Sequence, residues 1–193
     1  MAPSAFPEPA AGAAPAGGLR RFWPLAALTA AVLALDHGTK WWALAVLRAR
    51  PGGRIVVIPG LLDWLYAENT GAAWSLLDGA ADWIRRPLLV TVSSAASILI
   101  VWMYAKTERG MRLRAAALGL LLGGAVGNLI DRAFRGYVVD FVRAHWWDRA
   151  SWPIFNVADV AIFLGVAALF VETFVRGRNR APVADGSVPL PAP

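Results

Sequence analysis

The chain has 193 residues, no cysteine, a formal charge of +6 and a mean hydropathy of +0.50, with 58% apolar residues. Without cysteine there is no disulfide framework, thiol nucleophile or thiolate metal site, and an apolar share this high, gathered in long blocks, excludes an ordinary soluble domain. One integral membrane domain is expected, with its basic loops facing anionic headgroups and not nucleic acid.

Residues 1–19 are rich in Ala, Pro and Gly, with Glu8 the only charged side chain, and are expected to form a disordered tail. Arg20 and Arg21 then open the first apolar segment, 22–47, which Asp36 and Lys40 interrupt. A cleavable signal peptide is not expected, because the basic pair follows the tail instead of starting the chain. The loop after this segment contains RIVVIPGLLDWLYAENTG, a β-branched and aromatic run ending in a turn-prone Asn-Thr-Gly, so a small sheet or hairpin is predicted there. Three more apolar segments follow at 88–104, 115–130 and 154–175. A helix crosses a bilayer with about 20 residues, and about 17 at the low end, so the second and third must borrow flanking residues. The pattern predicts an all-α membrane protein of four transmembrane helices with a small β-containing region in its outer loops. The membrane domain is expected over 20–175, and 176–193 is expected to be a second, basic and Pro-rich tail.

Four spans put both termini on one side. Basic residues tie across the two sides, but the 105–114 loop concentrates four of them in ten positions: Lys106, Arg109, Arg112 and Arg114. The opposite loops also mix in Asp63, Glu68, Asp78, Asp82, Asp140 and Asp148. The termini are therefore expected in the cytoplasm. Eight of the ten tryptophans lie on or beside the two outer loops, as expected for loops lying in the headgroup layer. Trp64 and Trp74, which flank the Asn69 turn, are expected at that interface or over the site.

Ionisable groups in such a chain are costly and usually functional. Asn128 and Asp131 end the third segment, and Asn156 and Asp159 begin the fourth. At i, i+3 spacing each pair is expected on one helix face, and antiparallel spans bring both pairs to one membrane depth. Asp140 lies in the connecting loop, within reach of both. The alternative is a polar cluster that only locks helices together. The two histidines, His37 and His145, are not in metal-ligand spacing, and no metal or other cofactor is expected. A Ser75/Lys40 dyad is conceivable, but nothing in the sequence ties the two together. Paired carboxylates remain. At low dielectric two of them share a proton, one serving as general base towards water and the other as general acid towards a carbonyl, which is aspartic peptidase chemistry. Arg132, next to Asp131, is expected to hold that carboxylate ionised in a scaffold role. Asp140 and Asp159 have no adjacent cation and make the better dyad, with Asp131 the alternative. An ion or proton carrier would need polar groups spread across the bilayer and, in many cases, an inverted repeat; neither is visible. A non-enzymatic assembly protein would be separated from both by a cleavage assay.

The motifs LDHGTK (35–40), ENTGAAWS (68–75), GGAVGNLIDRAFRGYVVDF (123–141) and FNVADVAIFLG (155–165) resemble bacterial lipoprotein signal peptidase, in family order and over nearly everything between the tails. The chain departs from that pattern with His37-Gly38 where a Gln is common and with Trp74 where Phe is common. The resemblance implies an aspartic endopeptidase of the bacterial inner membrane with its active site near the periplasmic face. Its substrates would be prolipoproteins whose Cys carries diacylglycerol, cut on the N-terminal side of that Cys. It implies Asp140 and Asp159 as the catalytic pair. It gives orienting or substrate-binding roles to Asp36, Lys40, Asn69, Gly71, Asn128, Asp131, Arg132 and Asn156. Membrane lipids are the expected surroundings, and the chain is expected to act as a monomer.

Overall fold

The computed structural model describes residues 19–71, 81–108, 110–147 and 149–179. The expected tails lie outside these residues except at their inner edges, and Trp74 and Ser75 also lie outside them.

Four long helices carry the fold: α1 (Trp23–Trp42), α2 (Asp82–Ala105), α3 (Arg112–Phe134) and α4 (Val157–Asn179). Each apolar segment of the sequence falls on one of them. The short second and third segments do borrow flanking residues: α2 starts six residues before its apolar run and α3 adds a turn at its C-terminal end. Among the described residues α2, α3 and α4 are long and apolar enough to cross a membrane. Their outward faces carry large apolar side chains: Val92, Ile98, Leu99 and Trp102 on α2, and Phe163, Val166, Phe170 and Phe174 on α4, all more than half exposed. In water such faces would seek a partner; in lipid they need none.

Helix α3 is the hub, packed against α1, α2 and α4. Its glycines explain why. Gly119, Gly123 and Gly127 recur every four residues and face α1, where an added Cβ would lie 2.9 Å from Leu28, 2.6 Å from Val32 and 2.7 Å from Asp36 respectively. Gly124 points elsewhere, against the Ala158 carbonyl and Ile162 of α4. Small residues let backbones approach where the bilayer supplies no hydrophobic drive. Gly123→Ala must push α1 away, and we expect it to cost about 1–3 kcal/mol. Gly38→Ala on α1 meets nothing within 4 Å and is expected to stabilise by about 0.5–1 kcal/mol through helix propensity. Unfolding of the two variants in one detergent, followed by tryptophan fluorescence, checks the opposite signs.

The loops that join α1 to α2 and α3 to α4 carry the expected small β region. Strands β1 (Arg54–Ile58), β2 (Leu62–Asn69), β3 (Val138–Trp146) and β4 (Ala150–Ser151) form one antiparallel sheet in that order. The predicted hairpin is β1–β2. The third strand comes from the loop between α3 and α4, so Asp140 stands on a strand that pairs with Ala67 of β2. Alternation along β3 sends Val139 and Phe141 into a small core with Ala43 and Leu47 of the π-helical turn that ends the first segment. Trp64 joins this core, edge-on to Trp42 with ring centroids 4.6 Å apart. It is thus a packing residue under the sheet and not a cover over the carboxylates. Asp63 is fully buried on the sheet, 2.8 Å from Arg54 and 3.0 Å from His145, so its partners come from the same sheet.

Candidate active site

Three chain segments meet at the end of the helical bundle next to the sheet. The first is the C-terminal half of α1, bearing Asp36 and Lys40. The second is the last turns of α3, bearing Asn128, Asp131 and Arg132. The third is the start of α4 with the residue before it, Asn156. The sheet adds Asn69 and Asp140. These two sit on one face, because Asn69 pairs with Val138 and Ala67 with Asp140, making them diagonal neighbours. Phe155 exchanges backbone hydrogen bonds with Val142 and accepts one from Phe141, which ties the start of α4 to β3.

The lower layer is ionic. Lys40 is fully buried, and its ammonium lies 2.8 Å from Asp36 Oδ2, 2.9 Å from Asp131 Oδ2 and 3.0 Å from Asn128 Oδ1. An ammonium has three N–H donors, so all three are engaged and none remains to serve a hydroxyl nucleophile. The i, i+4 pair of α1 is therefore one edge of a larger network. Asp131 is paired with Arg135, one helical turn on, as well as with Lys40, and its Oδ2 accepts the Val139 N–H at 3.2 Å. The expectation that Arg132 would hold Asp131 is corrected: side chains at i and i+1 diverge around a helix, whereas i and i+4 share a face. Arg132 instead turns towards α2, with Nη1 donating to Ser93 Oγ at 3.3 Å, and lies within electrostatic reach of Asp159, Asp140 and Asp131. Arg135 and Ser93 were not singled out from the sequence; the i, i+4 spacing from Asp131 would have revealed Arg135, while nothing local points to Ser93.

The upper layer holds Asp140 and Asp159. Asp140 is 1% exposed, and Asp159 is half-buried. Asn69 Nδ2 donates to Asp140 Oδ2 at 2.8 Å and Asn156 Nδ2 to Asp140 Oδ1 at 2.6 Å. Asn128 Nδ2 donates to Asp159 Oδ1 at 2.8 Å, and the Asn156 backbone N–H donates to Asp159 Oδ2 at 3.1 Å. The three amides cannot reverse. Asn69 Oδ1 accepts the Gly71 N–H, Asn156 Oδ1 accepts the Asp159 N–H, and Asn128 Oδ1 accepts from Lys40 and Asn156. Every carboxylate oxygen of the pair thus has one fixed donor, and a proton shared between the two must use the lone pairs left over. Burial and the neighbouring Asp159 charge push the Asp140 carboxyl up to about 7, against the opposing pull of the two amides and Lys40.

The two Asn-x-x-Asp motifs prove physically different. Asn128 and Asp131 lie on one face of α3, as spacing predicts. Asn156 precedes α4 and caps it: its side chain takes the Asp159 N–H at 3.0 Å while Asp159 takes the Asn156 N–H, a reciprocal capping box. Asp36 reaches across from α1 to accept the Ala158 N–H at 2.9 Å. The first turn of α4 is therefore held by the same residues that surround the carboxylates. Gly71, at φ +102, closes the Asn69 turn, and a Cβ there would collide with Leu89 of α2.

The charges in this assembly nearly cancel. Asp36 and Asp131 balance Lys40 and Arg135, and Arg132 lies within electrostatic reach of Asp140 and Asp159. One proton on the upper pair makes the whole neutral. Such an assembly can hold a water between a base and an acid, with amides fixing both carboxylates.

The sequence family described as Signal peptidase (SPase) II matches residues 28–175. A lipoprotein signal peptidase of Pseudomonas putida is 40% identical over 180 residues, covering 93% of this chain and all of that one. One of Listeria monocytogenes is 42% identical over 152 residues, covering 79% of this chain and 94% of that one. Among solved structures, a bacterial membrane enzyme determined by the in meso method at 2.3 Å resolution is similar with a TM-score of 0.69 and 28% identity, covering 81% of this chain and 91% of that one. The family match runs from within α1 to within α4 and takes in the sheet and both carboxylate layers, and the chain belongs to the signal peptidase II family of membrane peptidases.

Proposed function

We propose that this protein is an aspartic endopeptidase that removes the signal peptide from diacylglyceryl-modified prolipoproteins, cutting on the N-terminal side of the lipidated Cys. Asp140 and Asp159 share one proton. The ionised partner takes a proton from water, which attacks the scissile carbonyl, and the protonated partner donates to the carbonyl oxygen. Lys40, Asp36 and Asp131 are scaffold; Asn69, Asn128 and Asn156 orient the dyad, Gly71 shapes the Asn69 turn, and Arg132 contributes positive charge beside the pair. The single observation that carries this reading is the buried Asp140 carboxyl, raised to about 7 beside Asp159 with its amide donors fixed.

In this reading residues 20–175 form the membrane domain and α1 is a fourth span, its Asp36 and Lys40 made tolerable by mutual pairing at 2.8 Å. Both termini are cytoplasmic, the dyad lies near the outer face of the inner membrane, and one chain suffices. Lipid on the substrate Cys fixes the scissile bond at the depth of the dyad, a use of remote binding for orientation. Purified protein should cut a precursor bearing diacylglyceryl-Cys at least about tenfold faster than the unmodified precursor, with the Cys at the new N-terminus by mass spectrometry. Equal rates would remove the lipid from the account.

A further inference from the structure

The end of the bundle farthest from the dyad carries a second feature. A cavity of about 560 Å³ opens between the start of α1, the end of α2 and the start of α3, within the range of about 300–1,000 Å³ typical of small-molecule sites. Its apolar lining comes from Pro24 and Leu28 of α1 and Ala115 and Ala116 of α3. Among its described lining residues Arg20, Arg21 and Arg112 are basic and Glu108 is the single acid.

The three arginines are not equivalent. Arg21 is occupied, donating to the carbonyls of Ala105 at 2.7 Å, Tyr104 at 3.2 Å and Thr107 at 3.3 Å, and so capping the end of α2. Tyr104 returns a hydrogen bond to the Arg21 carbonyl at 2.9 Å. This exchange builds the wall of the cavity. Arg20 and Arg112 are exposed and make no ion pair with a described residue. Two exposed guanidiniums that pair with no described residue, beside an apolar lining at a membrane boundary, match a ligand with a phosphate head and a hydrocarbon chain. The basic leading segment of a signal peptide does not fit, because it carries the same charge sign as these arginines.

We infer that this cavity is a binding site for one anionic phospholipid, its headgroup phosphate held by Arg20 and Arg112 and its upper acyl chain lying along Leu28, Ala115 and Ala116. The inference rests on the helices crossing the bilayer and is independent of the dyad, which lies at the other membrane face. A lipid here wedges α1, α2 and α3 together at the end where the glycine-mediated contacts of α3 begin.

The test uses the full chain in detergent with equal amounts of phosphatidylglycerol and phosphatidylcholine, reading retained lipid by native mass spectrometry. Phosphatidylglycerol adducts should exceed phosphatidylcholine adducts by about thirtyfold, at about 1 kcal/mol for each of the two guanidiniums. Arg20→Gln with Arg112→Gln should bring the ratio to within about twofold of unity. Glu108→Gln should raise it, and Arg149→Gln, in the opposite loops, should leave it unchanged. Cleavage of lipidated precursor, measured on the same samples, should persist in all of these variants, which separates failure of the lipid site from failure of the peptidase reading. A ratio near unity in the unaltered chain, or one insensitive to the variants at Arg20, Arg112 and Glu108, overturns the inference. Glycerophosphoglycerol, the headgroup without chains, should compete poorly; full displacement at equal concentration would make the site a phosphate site and overturn the lipid.

Discussion

Replacing either Asp140 or Asp159 with Asn is expected to reduce cleavage by at least about 10³-fold, the scale of general acid–base catalysis combined with loss of the activated water. The protein should remain inserted and folded, since Asn preserves shape. A small loss of stability is expected at position 140. There Asn69 and Asn156 each present an N–H group to one carboxylate oxygen, and the Asn amide keeps one acceptor oxygen while its NH₂ faces the other donor. The double substitution should be little worse than either single one, because residues acting as a unit are not additive. Asp131→Asn should differ in kind. It weakens the hold on Lys40 and Arg135 and should act through stability or positioning, with residual cleavage per folded molecule. Activity of the three variants at equal membrane abundance separates these outcomes. Full activity in Asp140→Asn with loss only in Asp131→Asn would assign the second carboxylate to Asp131.

The largest stability effect is expected at Lys40. Lys40→Met removes the cation shared by Asp36 and Asp131, both fully buried. Breaking a buried pair leaves uncompensated charge and costs roughly 3–5 kcal/mol; here two carboxylates are stranded, although Asp131 keeps Arg135. Thermal unfolding in detergent should show a large drop, and membrane abundance should fall with it. Lys40→Arg should not restore the site, because a planar fork cannot reproduce three donors converging from one point. Adding Asp36→Asn to Lys40→Met should recover part of the loss, since it removes one stranded charge. An additive double variant would mean that the two residues do not act as a pair.

Much of this architecture was legible because polar groups in an apolar chain are few. The four apolar blocks became the four long helices, and the residues interrupting or ending them became the site. The β1–β2 hairpin was visible in its β-branched run. Strand β3 was not, because the alternation of VVDFVRAHW breaks at Val138-Val139 and again at Phe141-Val142, and the polar side chains of its second half serve the sheet: Arg143 and His145 turn to Asp63. Two local readings missed for geometric reasons. Asp131 pairs at i+4 and not with its sequence neighbour. Asn156 stands one residue outside α4, so its spacing to Asp159 encodes a cap where a shared helix face was expected. The role of Asn69 as donor to Asp140 depends on the β2–β3 register, which no local pattern fixes.

The pH dependence of kcat/KM for a lipidated precursor tests the shared-proton dyad most directly. In the proposed mechanism the working form carries one proton on the pair. Asp140 is raised to about 7 by burial and by the Asp159 charge, so the pair gives up its proton as pH rises through that value. The rate should fall along that limb. It should fall again in acid, when the pair takes a second proton, and the two apparent values belong to the pair and not to either residue. A bell with its alkaline limb near 7 is the predicted result. A rate that climbs through neutral pH to a plateau in alkali would require a group that works only when deprotonated, and would contradict the dyad.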